Sequence, residues 1–276
     1  MWAEQPPLEF VPISGLHRTY LDRKHSSRPA IAKDPAMIRL AINGATGRMG
    51  ALTCTLARDD SRFELVTRIG RERNPIEGNR DAPIDVVIDF SNDQGTRDAV
   101  TLAVKHRAAL IVGTTGLSRQ TLSDIEVASH SIPVMVAPNT SAGIAVMIHL
   151  VSEAARLLGS DHDVHIVEVH HSGKRDAPSG TALRIADSIR ERAGIALSPD
   201  RIHAIRAGDV IGEHTVEFFS SGERIRVAHV ATSRDLFAHG ALNAAAWLHG
   251  RSPGSWTIEQ SLGLETGPRE GVGTGQ

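Results

Sequence analysis

The segment that most constrains this chain is a glycine-rich turn set between a strand pattern and a helix pattern. Residues 38–42 form a short apolar run. It ends at Asn43-Gly44-Ala45-Thr46-Gly47-Arg48-Met49-Gly50, and a helical pattern follows through about Ala57. Strand, glycine-rich turn and helix, in that order, open a dinucleotide-binding unit. Gly44 permits the tight turn, Gly47 lets a pyrophosphate approach the backbone, and Gly50 lets the helix pack close to the sheet. The spacing G-x-x-G-x-x-G is a variant of the usual fingerprint. A plain glycine turn is the competing reading, and the flanking strand and helix argue against it.

The alternation continues. Residues 85–90 are a near-continuous apolar strand, as in a parallel sheet covered on both faces. A helix over 96–106 follows, then a strand over 109–112 ending at Gly113-Thr114-Thr115-Gly116. A helix over 118–128 with Ser118 as its cap precedes a strand over 134–137, which ends at Pro138-Asn139-Thr140-Ser141. This order predicts an α/β, Rossmann-type, doubly wound parallel sheet. The strand ends at Gly44, Gly113 and Asn139 then lie along one edge, where such folds bind ligands. The second strand, 63–69, lacks the terminal acid that often holds the adenosine ribose, and Gly70-Arg71-Glu72-Arg73 stands there instead. An arginine suits a 2′-phosphate, so NADPH is the expected cofactor, with NADH possible. A solvated loop is the blander reading of these arginines.

The second half has a different texture. An apolar helix over 143–158 leaves the nucleotide domain. A strand over 164–169 leads into His170-His171-Ser172-Gly173-Lys174-Arg175-Asp176-Ala177-Pro178-Ser179-Gly180-Thr181, and a helix over 182–193 leads out. Strands are expected over 203–206, 213–219 and 224–229, with a hairpin turn at Ser221-Gly222. An alanine-rich helix over 237–248 is expected to return to the first domain. The division is therefore a dinucleotide-binding domain over 37–141 and a C-terminal α+β domain over 142–262. Residues 1–36 are expected to be a disordered arm, or to precede a natural start at Met37. The glycine-rich tail over 263–276 is expected to be disordered.

The His170–Thr181 segment carries the chemistry. Lys174 suits holding a carboxylate or delivering a proton, and His170 suits acid–base work near neutral pH. The N–H groups of Gly180 and Thr181 open a helix, where free donors and the helix dipole favour an anion. A metal site is disfavoured, because His165 and His170 fall on opposite faces of one strand and no zinc-type spacing is present. No G-x-S-x-G elbow supports a serine hydrolase. Cys54, the one cysteine, reads as a buried thiol in a chain suited to the reducing cytoplasm. A formal charge of −2 gives no broad case for nucleic acid or a membrane surface, and no apolar run reads as a membrane span.

Several segments together resemble the 4-hydroxy-tetrahydrodipicolinate reductase (dihydrodipicolinate reductase) family of lysine and diaminopimelate biosynthesis. They are Gly44–Gly50, Val87-Ile88-Asp89-Phe90-Ser91, Val112–Gly116, Ala137–Ser141, Glu168–His171 with Lys174–Ala182, Gly208–His214 and Ser233–Ala241. The resemblance implies a Rossmann domain and a substrate domain whose sheet assembles a homotetramer. It implies hydride transfer from NADPH or NADH to a small cyclic dicarboxylate imine. His170 then falls on the acid/base histidine, Lys174 on the catalytic lysine, and His171, Gly180 and Thr181 on substrate contacts. Cofactor contacts fall on Gly44, Ala45, Thr46, Gly47, Arg48 and Met49, on Gly113, Thr114 and Thr115, and on Ala137, Pro138, Asn139 and Thr140. Three departures stand out: no acid at Gly70, Thr140 in place of an aromatic residue, and short connections over 71–83 and 193–208. Another nicotinamide-dependent reductase of an amino-acid-derived imine or semialdehyde, or a non-catalytic nucleotide sensor, are the alternatives.

Overall fold

The computed structural model describes residues Met37–Leu264, so the expectations for residues 1–36 and for the tail beyond Leu264 lie outside the described residues. The first lobe runs β1 (Ile38–Asn43), α1 (Arg48–Arg58), β2 (Phe63–Ile69), β3 (Pro75–Gly78), β4 (Val86–Asp89), α2 (Asp93–His106), β5 (Ala109–Val112), α3 (Arg119–Ser129) and β6 (Pro133–Val136). The second runs α4 (Ala142–Leu158), β7 (Asp163–His170), α5 (Gly180–Ala193), β8 (Ile202–Arg206), β9 (Glu213–Phe219) and β10 (Arg224–Val230). The chain ends with α6 (Asp235–Leu248), β11 (Gly254–Trp256) and α7 (Ile258–Ser261).

Alternate residues of each strand explain why the first sheet is doubly wound. Leu40, Ile42, Val86 and Ile88 pack with α1 and α6 residues on one face. Ala41, Val87, Leu110 and Val112 pack with α2 and α3 residues on the other. A strand buried on both faces reads as a near-unbroken apolar run: β5 does throughout, and β4 does until its last residue, Asp89. The sheet order is β11-β6-β5-β4-β1-β2-β3, parallel except for β3. The chain leaves β1 in one direction and resumes at β4 on the other side, which makes the β1/β4 boundary the topological switch point.

Two strands escape the sequence reading. β3 is a four-residue, exposed edge strand, antiparallel to β2. β11 pairs in parallel with β6, so part of 142–262 completes the first sheet rather than the second domain. Both are too short to show a period. Ala241, Leu242, Ala244, Ala245 and Leu248 of α6 pack into the core on one face of the first sheet. Helix starts shift where side chains cap. Asn92 accepts from Gly95 N–H and starts α2 at Asp93, and Ser179 accepts from Ala182 N–H and starts α5 at Gly180.

The second sheet has the order β10-β9-β7-β8. Helices α4 and α5 cover one face, burying Val164, Ile166, Val216 and Phe218 with Ile144, Val151, Ile185 and Ile189. By strand parity the opposite face carries Val167, Val169, Ile205, Ala228 and Val230 beside a Glu217–Arg226 ion pair. One expectation is corrected here: the segment Ala142–Asp161 is long and apolar enough, by length and composition, to cross a membrane. Its apolar stripe, including Ile144, Met147 and Val151, packs into the core of the second lobe.

Candidate active site

The Gly44 turn sits at the switch point because its backbone requires glycine. Gly44 has φ +78°, and an added Cβ would lie 2.2 Å from the Phe90 carbonyl oxygen. One turn later, a Cβ on Gly50 would lie 2.1 Å from the Gly44 carbonyl oxygen, so α1 starts hard against the turn. The N-cap of α1, Gly47, supplies no side-chain acceptor, and the first turn holds no acid. Those donors are therefore free for an anion. A narrow cradle and an uncapped helix start fit the pyrophosphate of a dinucleotide.

A buried carboxylate holds the edge together. Asp89, fully buried at the end of β4, accepts from Asn43 Nδ2 at 2.7 Å, Ser91 Oγ at 2.5 Å, Thr96 Oγ1 at 2.6 Å and Thr114 Oγ1 at 2.6 Å. Thr114 Oγ1 also accepts from Ser91 N–H at 2.9 Å. One residue thus pins the ends of β1, β4 and β5 and the start of α2. Thr114, expected at the cofactor, turns its hydroxyl inward to this network.

In front of this edge lies a cavity of about 340 Å³ lined from both lobes. The first lobe contributes Arg48, Met49, Phe90, Gly113, Thr115, Pro138, Asn139 and Thr140. The second contributes His170, His171, Lys174 and Thr181, together with Gly212, His214, His229 and Arg234. Among the described residues no aspartate or glutamate lines it, whereas Arg48, Lys174 and Arg234 do. Asn139 Nδ2 donates to Thr181 Oγ1 at 3.0 Å, which ties the loop after β6 to the first turn of α5. Thr140 Oγ1 donates to the Phe237 carbonyl at 2.6 Å, anchoring the same loop to α6.

The segment after β7 arranges its groups tightly. Glu168, fully buried, accepts from Ser179 N–H at 3.0 Å, from both terminal nitrogens of Arg206 at 2.8 and 2.9 Å, and from His170 Nδ1 at 2.5 Å. Burial alone would raise the Glu168 carboxyl, but the bonds from Arg206, His170 and Ser179 hold it below the usual carboxylate range. For His170, burial lowers the pKa and outweighs the opposing pull of Glu168, leaving it below 6.5. Lys174 Nζ donates to both oxygens of Asp176, at 2.9 and 2.8 Å, and that ammonium holds the Asp176 carboxyl low.

His214 stands edge-on to His170, ring centroids 5.2 Å apart, with Nε2 3.3 Å from Ser179 Oγ. Burial first, then the neighbouring His170, push its pKa down to about 4. An unfolded histidine takes its proton near pH 6.5, so the folded state binds fewer protons than the unfolded between those values. Stability is then fully present above about pH 6.5 and falls, by at most ~3 kcal/mol from this group, as the pH drops toward 4. Urea unfolding at stepped pH is expected to show this loss, and His214→Gln is expected to flatten it. An unchanged acid slope in the variant would assign the proton uptake elsewhere.

Comparison with known proteins fits this arrangement. A family model described as dihydrodipicolinate reductase, N-terminus, matches residues 38–140, and its C-terminal counterpart matches residues 143–262. The chain belongs to the dihydrodipicolinate reductase family. The 4-hydroxy-tetrahydrodipicolinate reductase of Syntrophotalea carbinolica is 34% identical over 83% of this chain and 100% of its own length. That of Caldanaerobacter subterraneus subsp. tengcongensis is 39% identical over 81% of this chain and 97% of its own. A dipicolinate-bound dihydrodipicolinate reductase structure from Paenisporosarcina sp. TG-14 shares the fold, with a TM-score of 0.69 at 23% identity, covering 82% of this chain and 99% of that one. The first lobe is accordingly a Rossmann-type domain for a nicotinamide cofactor.

Within this family frame, the structure brings eleven of the sequence-predicted site residues to the lining of one cavity and leaves eight outside it, Thr114 among them. Gly44, Ala45, Thr46 and Gly47 form the adjoining turn rather than the wall, and Ala137 is buried in the core of the first lobe. Gly180 is exposed at the start of α5, outside the lining. Arg71 lies in the exposed β2–β3 turn and carries no ion pair among the described residues, whereas its neighbour Arg73 pairs with Asp98 at 3.4 Å. Sequence reasoning missed Glu168, Arg206, His214 and Arg234. A signal for Glu168 existed: it shares a strand face with His170, where Val164 and Ile166 are otherwise apolar, and a buried acid demands partners.

Proposed function

We propose that this chain reduces 4-hydroxy-tetrahydrodipicolinate to tetrahydrodipicolinate, with loss of water, in lysine and diaminopimelate biosynthesis, using NADPH in preference to NADH. The observation that carries the reading is a single acid-free cavity joining the dinucleotide edge to His170, Lys174 and the start of α5. Such a lining suits a small dianion. A nicotinamide cofactor, when bound on the Gly44–Met49 turn and the Gly113–Thr115 and Ala137–Thr140 loops, supplies the hydride.

The chain's own groups do the rest. The N–H groups of Gly180 and Thr181 at the start of α5, together with His171, which lines the same cavity as Thr181, bind a substrate carboxylate. Lys174 exchanges Asp176 for substrate and delivers the proton that the reduced enamine needs, and His170 acts with it through Nε2. Phe90, Ile144, Ile211 and Phe237 supply the apolar part of the cavity and limit water. The test is turnover. A synthase generating the unstable precursor in place, with NADPH and this protein, is expected to yield tetrahydrodipicolinate by mass spectrometry. NADPH binding without product would leave the nucleotide-sensor alternative.

Two finer points belong to the same reading. Arg71, exposed just past the end of β2 and without an ion pair among the described residues, is assigned to the 2′-phosphate of NADPH. Arg71→Ala is expected to weaken NADPH binding about tenfold or more and leave NADH binding within about twofold. Equal losses, read by calorimetry, would remove Arg71 from that role. The uncovered face of the second sheet is assigned to contacts between copies in a homotetramer. Native mass spectrometry is expected to show four chains, and Val167→Glu is expected to dissociate them; a monomeric wild type would refute the assignment. A buried lone thiol, Cys54, suits a cytoplasmic location.

A further inference from the structure

We propose that Glu168 is a positioning residue for this reaction: its carboxylate fixes His170 with the proton on Nδ1 and clamps the first turn of α5, so that imidazole and carboxylate-binding turn act as one unit. The proposal rests on the roles given above to His170, Gly180 and Thr181.

The argument is one of donor accounting. A carboxylate offers about four lone-pair sites, and a fully buried one must fill them. Glu168 does so with two bonds from Arg206, one from Ser179 N–H and one from His170 Nδ1. An ionised carboxylate only accepts, so Nδ1 of His170 carries hydrogen whether the ring is neutral or charged. Nε2 is left as the atom that takes or gives a proton. Space is kept for it: a Cβ on Gly212 would lie 3.0 Å from His170 Nε2. The groups facing His170 are Glu168 on its own strand, Arg206 on β8, His214 on β9 and Lys174 on the following loop. Glu168 is the one acid among them.

A plain ion pair joining β7 to β8 is the competing account. It explains Arg206 but not the other two donors. His170 lines the cavity, and Ser179 is the N-cap of α5, so its N–H is bonded at the residue before Gly180 and Thr181.

The test reads His170 directly. Long-range proton–nitrogen NMR of the ligand-free wild type, at about pH 8 where the ring is neutral, is expected to show the Nδ1–H tautomer. The Nε2–H tautomer would overturn the proposal, and this holds whether or not any substrate turns over. In Glu168→Gln, the limb of the kcat profile that reports His170 is expected to move to lower pH by about 1–3 units, because the cationic ring loses its counter-charge beside Arg206 and Lys174. KM for the dicarboxylate is expected to rise in the same variant, since the α5 turn loses its clamp. A folded variant with an unmoved pH profile and unchanged KM would reduce Glu168 to an ordinary structural acid. If the variant does not fold, the wild-type tautomer decides. Absence of turnover in the wild type would count against the reductase assignment and not against this geometry.

Discussion

Lys174→Ala is expected to lower kcat by about 10²–10⁴-fold while leaving NADPH binding within a factor of two, because delivery of a proton by a positioned group contributes on that scale. The side chain is three-quarters buried and lines the cavity, yet its sole partners among the described residues are the two oxygens of Asp176. It is thus held near the site without serving the core, and its loss should cost little stability. Stopped-flow or coupled assays at saturating cofactor, with calorimetry for NADPH, separate the two effects. A variant that keeps more than a tenth of wild-type kcat would remove Lys174 from proton delivery. A variant that loses cofactor binding equally would recast it as part of the dinucleotide site.

The second large effect is expected at Asp89. Replacement by alanine leaves the donors of Asn43, Ser91, Thr96 and Thr114 without their shared acceptor in a buried place. Asn43, Ser91 and Thr96 keep second acceptors in the Gly95 and Asn92 carbonyls, so the cost is chiefly that of four lost hydrogen bonds with Thr114 left unpaired, and a total of about 3 kcal/mol is expected. For a domain of this size that lowers Tm by roughly 6–12 °C. Because the same network pins the ends of β1, β4 and β5, cofactor affinity should fall in the folded fraction at low temperature. Calorimetric unfolding with parallel NADPH titration checks both. A Tm within about two degrees of wild type would mean that water replaces the carboxylate without penalty and that the edge is held by backbone pairing alone.

The alternation of strands and helices was legible because its physics is local. β5 and the first three residues of β4 are covered on both faces and so had to be written in apolar residues, while Ser118 marks a helix start by accepting the N–H of Thr121. The Gly44 and Gly50 requirement was legible for a similar reason, since each position tolerates no Cβ. What stayed hidden depends on distant partners. β11 is three residues long and exists because β6 offers an open edge and Trp256 meets Trp247 edge-on at 5.5 Å. Arg206 reaches Glu168 across 38 positions of sequence, and the Asp89 network spans from Asn43 to Thr114. His214 could be seen as a strand residue but not as a neutral neighbour of His170, because only the pairing of Glu168 with His214 across β7 and β9 brings the rings together.

The most direct measurement of the central claim follows the two new hydrogens in the product. With NADPH carrying deuterium at the transferable position in ordinary water, and then with unlabelled NADPH in deuterium oxide, the account predicts one deuterium in the product each time. The first arrives as hydride from the cofactor. The second arrives at the adjacent carbon as the proton that Lys174 and His170 deliver from solvent. Product that carries both hydrogens from solvent, or cofactor oxidation with no labelled tetrahydrodipicolinate, would contradict the assignment of this cavity to hydride transfer followed by protonation.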